Sequence, residues 1–290
     1  MKKHILSLIL LLSFALPASA VDFMVGAKGG YFIWKPYFED IGGFFDNIDS
    51  GTGVLYGPVL SVLFTPEINL SVAGLTGTQD TYWHMDFEQE GGDPTDIRAG
   101  TYFWETRRYD IDTAISYRIS SLKIFLGYKY QYMDSTMIYT EIRPQPAADP
   151  DLYHDKMTLT TMSNGPALGL GYSYILGKGA FTSLNVSGLY MLGYFDVVTD
   201  FHYEYDGGTY TFNDEYNAPV KVDTAQAGIN VEMSLGYVPE GTGLVFTLGG
   251  RFQWLSTKFQ DLSEEEKADL GTETMHDYLY GIFVSVLYTF

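Results

Sequence analysis

Four histidines, His84, His154, His202 and His276, stand in or beside four different segments that are rich in acid and poor in hydrophobic pattern. An imidazole so placed can serve as a metal ligand or as a general base. No H-x-H or H-x-x-x-H pair joins any two of them, so no metal site is expected. Nor does a His-x-Ser or other nucleophile spacing mark an acyl hydrolase. The carboxylates are denser: residues 35–52, 80–100, 135–157, 196–220 and 256–275 together hold 26 Asp or Glu against six Lys or Arg. Solvation of exposed loops accounts for such a surface. It would also attract cationic ligands or divalent ions, and such ions could bridge it to anionic lipopolysaccharide. No segment matches an EF-hand loop, and no cofactor is expected. A net charge of −19 excludes nucleic acid as a partner class.

The segments that must hold these residues alternate with period two. Ten strands are read at 23–34, 53–64, 68–79, 101–119, 122–134, 165–177, 180–197, 221–238, 243–255 and 277–290. Short connections (Thr65–Glu67, Ser120–Ser121, Lys178–Gly179, Pro239–Thr242) alternate strictly with the five long acidic ones. This rhythm predicts an all-β fold, a transmembrane up-and-down antiparallel β-barrel of ten strands with long extracellular loops and short periplasmic turns. In the seventh strand Leu184, Val186, Tyr190, Leu192 and Tyr194 share one face, and Ser183, Asn185 and Ser187 the other. Tyrosines and tryptophans near strand ends, among them Tyr31, Trp34, Tyr190, Trp254 and Tyr280, are expected to form interfacial girdles. A secreted β-sandwich or propeller is the alternative, but no repeat of propeller length is present.

Both ends fit that compartment. Lys2 and Lys3 precede an apolar run from Ile5 to Leu16 and the small residues Ala18-Ser19-Ala20, so residues 1–20 read as a signal peptide and 21–290 as the barrel. The last strand carries Ile282, Val284, Val286, Tyr288 and Phe290 on one face and resembles the C-terminal signature of Gram-negative outer-membrane barrels. That resemblance implies the cell outer membrane, its lipids and lipopolysaccharide, and the assembly machinery that reads the terminal strand as partners. A monomer is expected. The chain has no cysteine, so stability must come from strand pairing and packing.

Parity also fills the interior. Arg108, Asp110, Asp112, Arg118, Lys123, Lys129, Glu232 and Arg251 fall on lumen positions. In a barrel little wider than the eight-stranded kind, these charges should pair across the lumen and plug it, which excludes a general diffusion pore.

A ten-stranded barrel with an acidic mouth also resembles the omptin family of outer-membrane proteases. The family places an Asp-x-His pair at the top of the fourth-loop hairpin and two carboxylates in loop two. Asp200-Phe-His202 has the first spacing, and Asp80, Asp86 and Glu88 lie in loop two here. The resemblance implies that Asp200 orients His202 as general base while Asp80, Asp86 or Glu88 holds the attacking water. The chain also departs from the family: Asp86-Phe-Glu88 stands where the family has Asp-x-Asp, and the strand-five signature is reduced to Gly127-Tyr128. Asp200 and His202 have the parity of the lipid-facing Leu192 and Tyr194, so a bulge would be needed to turn them inward. The reading that results is a non-catalytic envelope barrel with acidic, ligand-binding or surface-tiling loops; an omptin-like endopeptidase for basic substrates is the alternative.

Overall fold

The alternating segments pair into a closed cylinder. The computed structural model describes residues 21–36, 50–85, 99–143, 151–205, 208–211, 220–260 and 274–290. Its strands are β1 (Asp22–Lys35), β2 (Gly51–Leu63), β3 (Ile68–Met85), β4 (Ala99–Ile119), β5 (Leu122–Arg143), β6 (Asp151–Gly177), β7 (Ala180–Tyr205), β8 (Gly208–Thr211), β9 (Val220–Tyr237), β10 (Leu244–Phe259) and β11 (Met275–Thr289). Each pairs antiparallel with its neighbours, β1 with β11 and β6 with β7, so no barrel edge is left open. β9 pairs directly with β7 over Ala180–Val197, while four-residue β8 leans on the far end of β7. The barrel therefore has ten strands, and β8 is a short return of the extended β7 hairpin.

The short turns are set by local chemistry. Lys178 and Gly179 both take positive φ, 50° and 80°, the handedness that a two-residue hairpin requires. A Cβ on Gly179 would meet the Val238 carbonyl, so Gly179→Val is expected to destabilise the barrel by about 1–2 kcal/mol, read from urea unfolding. At the β2–β3 turn the Thr65 hydroxyl accepts the backbone N–H groups of Glu67 (3.2 Å) and Ile68 (3.1 Å).

Several strands outrun their sequence reading. β3 continues to Met85, β5 to Arg143 and β7 to Tyr205, and β6 begins at Asp151 rather than 165. Above the apolar belt the outward face no longer meets lipid, so the apolar-polar contrast fades while backbone pairing continues and inward residues such as Met137 and Leu159 stay buried. β7 and β8 pair as the arms of a hairpin, with Tyr205 opposite Gly208 and His202 opposite Thr211.

The outer face is apolar over a continuous belt. On β11, Ile282, Val284 and Val286 are exposed between Tyr280 and Tyr288; on β4, Ile111 and Ile115 are exposed between Tyr109 and Tyr117. Leu168 and Ile282 each leave 65% of their surface open. A belt this extensive, bracketed by tyrosines, is the surface of a transmembrane barrel. Trp34 corrects one sequence expectation: it lies on the inner face of β1 and is only 1% exposed, because it shares parity with Phe32 and Lys28 rather than with Tyr31.

The inner face carries glycine where rings must lie flat on the wall. Phe181 occupies the space beside Gly236, and Phe125 that beside Gly169, positions where a Cβ would collide with the ring. Each ring thus lies over the directly paired glycine of the neighbouring strand.

Candidate functional site

Reading the inner face of β5 upward from its turn gives Lys129, Gln131, Met133 and Met137, and the inner face of β10 gives Arg251, Gln253 and Leu255. Charge, amide and hydrocarbon thus form successive layers. The charged layer is built from residues far apart in sequence. Asp110 accepts from Arg108 (3.1 and 3.3 Å) and from Lys129 (3.3 Å). Lys129 also reaches Asp112 at 3.0 Å, and Asp112 accepts from Arg251 of β10 at 3.1 Å, across the lumen from β4. Arg251 further donates to Asn230 (2.9 Å) and Gln253 (3.2 Å), and Gln253 donates to Gln131 (3.4 Å). Lys28 of β1 pairs with Glu232 at 2.6 Å, its ammonium 3.7 Å from the centre of the Phe283 ring.

Four cations (Lys28, Arg108, Lys129, Arg251) thereby face three paired carboxylates (Asp110, Asp112, Glu232), and Asp277 of β11 brings a fourth. Asp277 accepts the indole N–H of Trp34 at 2.6 Å. Each of the four cations has a carboxylate partner, which is the condition for keeping so many charges out of water. Of the lumen charges expected to pair, Arg108, Asp110, Asp112, Lys129, Glu232 and Arg251 do so, whereas Arg118 is exposed and Lys123 borders the cavity below, its ammonium 5.4 Å from the centre of the Phe125 ring. Lys28, Trp34 and Asp277 were missed in the sequence. Lys28 has the parity of Trp34, and that alternation was the available signal.

Above the charges the lumen holds an apolar cluster together with buried polar side chains such as Gln79, Thr106 and Ser135. Phe32, Trp34, Leu55, Leu75, Trp104, Met133 and others pack into one buried cluster. A water-filled channel would wet the side chains on its wall, yet Arg108 and Gln253 are 0% exposed and Arg251 only 4%. Below the charges, towards the short turns, lies a cavity of about 400 Å³ walled by serines and asparagines such as Ser61, Asn69, Ser183 and Asn185. Asp112 and Glu232 are the carboxylates of the charged layer that border it.

The residues that the omptin resemblance singles out fall elsewhere. The β6–β7 register runs unbroken from Leu152 opposite Glu204 to Asn164 opposite Leu192, with no bulge in this stretch. Positions 200 and 202 therefore keep the parity of Tyr190, Leu192 and Val198, which are exposed on the outer face. Asp80 sits on β3 with the parity of outward-facing Thr78, opposite Thr52 on one side and Glu105 on the other. Between β3 and β7 the wall runs through β4, β5 and β6, so the register brings Asp80 to Glu105 and not to Asp200 or His202. Asp86 and Glu88 lie outside the described residues, as do the proline-rich positions 144–150 of the third loop. Among the described side chains no three His, Asp or Glu gather into a metal-sized group.

No family model matches the chain, and no curated protein matches it in sequence. Solved structures do align along its length. The outer membrane protease OmpT from Escherichia coli is 12% identical, over 95% of this chain and 98% of that one, with a TM-score of 0.45. Neisserial surface protein A is 10% identical, over 92% and 97%, with a TM-score of 0.34. The translocator domain of the autotransporter NalP from Neisseria meningitidis is 10% identical, over 99% and 95%, with a TM-score of 0.33.

Proposed function

We propose that this chain is an integral outer-membrane barrel with a closed lumen, whose work is non-catalytic and is done by the acidic loops at its outward-facing end. The observation that supports this most directly is the charge-paired layer across the lumen, in which Arg108, Asp110, Lys129 and Arg251 are buried. Such an interior holds the cylinder rigid and leaves no water column for solutes. Function then moves to the rim, where 26 carboxylates on the five long segments create a strongly negative field. Cationic ligands and divalent ions are the chemistry this field concentrates. Outer-membrane lipid and lipopolysaccharide are the partners of the belt, and the assembly machinery is the partner of the terminal strand.

Planar-bilayer recording tests the closed lumen. The purified barrel is expected to show no stepwise conductance, whereas steady ohmic channels from the unmutated protein would overturn the reading. A second assay addresses the non-catalytic role. Cleavage of a dibasic peptide by the wild-type barrel but not by His202→Ala would replace it with proteolysis.

A further inference from the structure

The cavity below the charged layer has a wall charge opposite in sign to that of the protein. Four cations border it, Lys28, Lys123, Lys129 and Arg251, against two carboxylates, Asp112 and Glu232. The chain as a whole carries a net charge of −19. Three of the cations are already held, Lys28 by Glu232 and both Lys129 and Arg251 by Asp112. Lys123 has no such partner: among the described residues no carboxylate lies within ion-pair distance of it, and its ammonium stands 5.4 Å from the centre of the Phe125 ring. Its direct partner on β4 is a second cation, the exposed Arg118. Like charges set opposite one another across strands are destabilising, and an anion shared by the two removes that cost.

The wall beside Lys123 supplies further donors. Its partner on β6 is Gly171, and Gly171 is opposite Asn185 of β7. A Cβ at Gly171 would lie 2.6 Å from Asn185 Oδ1 and 2.7 Å from Lys123 Cε, so the bare glycine lets the amide and the lysine chain approach over one patch of wall. Asn185 makes no side-chain hydrogen bond among the described residues, and its amide offers both donors and an acceptor. Serines line the rest, Ser183 and Ser187 on the same strand among them. A volume of about 400 Å³ suits a small organic molecule, and Asp112 and Glu232 are only partly buried where they border it. The charged layer and the apolar cluster close the cavity towards the long loops, so a ligand enters from the short-turn end, past Arg118. We propose that this cavity binds a small hydroxylated organic anion, its phosphate or carboxylate group held by Lys123 and Asn185 and its hydroxyls by the serine and asparagine wall. The site lies at the opposite end of the barrel from the acidic loops, takes ligands of the opposite sign, and leaves the lumen closed.

The test is isothermal titration of the folded barrel in a nonionic detergent, with glucose 6-phosphate and gluconate as probes and glucose as the neutral control. One saturable equivalent of at least one anion is expected, bound roughly tenfold or more tighter than glucose, and the tighter of the two identifies the preferred anionic group. Lys123→Met should weaken binding roughly 10–100-fold, the worth of one hydrogen bond to a charged group, and Lys123→Arg should recover most of it. Removing Lys123 breaks no ion pair among the described residues, so the variant should fold as the wild type does. Lys178→Gln, at the exposed β6–β7 turn, should leave binding unchanged. Saturation by neither anion, equal affinity for glucose, or binding untouched by Lys123→Met would overturn the proposal. Should Lys123→Met fail to fold, acetylation footprinting of the wild type decides the matter: the bound anion should shield Lys123 and not Lys178, and equal labelling of Lys123 with and without it would overturn the proposal.

Discussion

Asp110→Ala is expected to destabilise the barrel by about 3–5 kcal/mol, the cost of leaving a buried charge without its partner. Arg108 is 0% exposed, and Asp110 receives both its Nε and its Nη2. Its remaining nitrogen, Nη1, has no hydrogen-bond partner, so the guanidinium would keep no hydrogen bond to a carboxylate. Lys129 would suffer less, since Asp112 still accepts from it. Urea unfolding in detergent micelles, followed by tryptophan fluorescence, reads the effect. The paired replacement Arg108→Met with Asp110→Leu is expected to recover most of the loss, because a buried ion pair exchanged for packed hydrocarbon is often neutral or better. An Asp110→Ala barrel within about 1 kcal/mol of wild type would mean that water reaches Arg108. The closed-lumen reading would fall with it.

Trp34→Ala should be comparably severe, about 3–5 kcal/mol from the cavity alone. The indole is 1% exposed in the apolar cluster above the charges, and its N–H is the donor that Asp277 accepts at 2.6 Å. Truncation therefore empties a large volume and strands a carboxylate in it. Trp34→Phe separates the two effects: most of the volume stays, and the loss should shrink to about 1–3 kcal/mol for the unsatisfied acceptor. Asp277→Leu added to Trp34→Phe should restore part of that. The bilayer assay supplies a second readout, in which Trp34→Ala raises brief openings over the silent wild type. Equal destabilisation by Trp34→Ala and Trp34→Phe would show that packing is not what Trp34 contributes.

These two residues show where the sequence was readable and where it was not. Asp110 and Arg108 could be placed in the lumen from parity, because alternation on β4 is local and the outward Tyr109 and Ile111 fix its phase. Their partners could not be read. Arg251 lies 139 positions from Asp112, and Lys28 lies 204 from Glu232. Which inward residues share a layer depends on how the barrel closes. Trp34 was placed on the lipid side because tryptophans collect at interfaces, and the phase of β1 set by Tyr31 and Lys28 decides otherwise. The upper halves of β5 and β6 escaped detection for a related reason: where neither face meets lipid, strands lose the contrast that reveals them.

The chemistry at the mouth divides in the same way. The sequence showed that Asp200 and His202 share a face and that His154 lies in another loop; it could not show that β6 and β7 pair in the one register that sets His154 against His202. By itself the sequence determined the fold class, the ten-strand rhythm, the lipid and lumen faces and the acidity of the long segments, since each follows from period-two alternation and composition within a few neighbouring residues. Only the tertiary structure decided which charges pair with one another, that Trp34 lies in the lumen, that Asp80 stands on a different wall from His202, and that positions 154 and 202 are register partners. Those are properties of strand register and of closure between β1 and β11 and between β6 and β7, set by backbone hydrogen bonds between segments far apart in the chain.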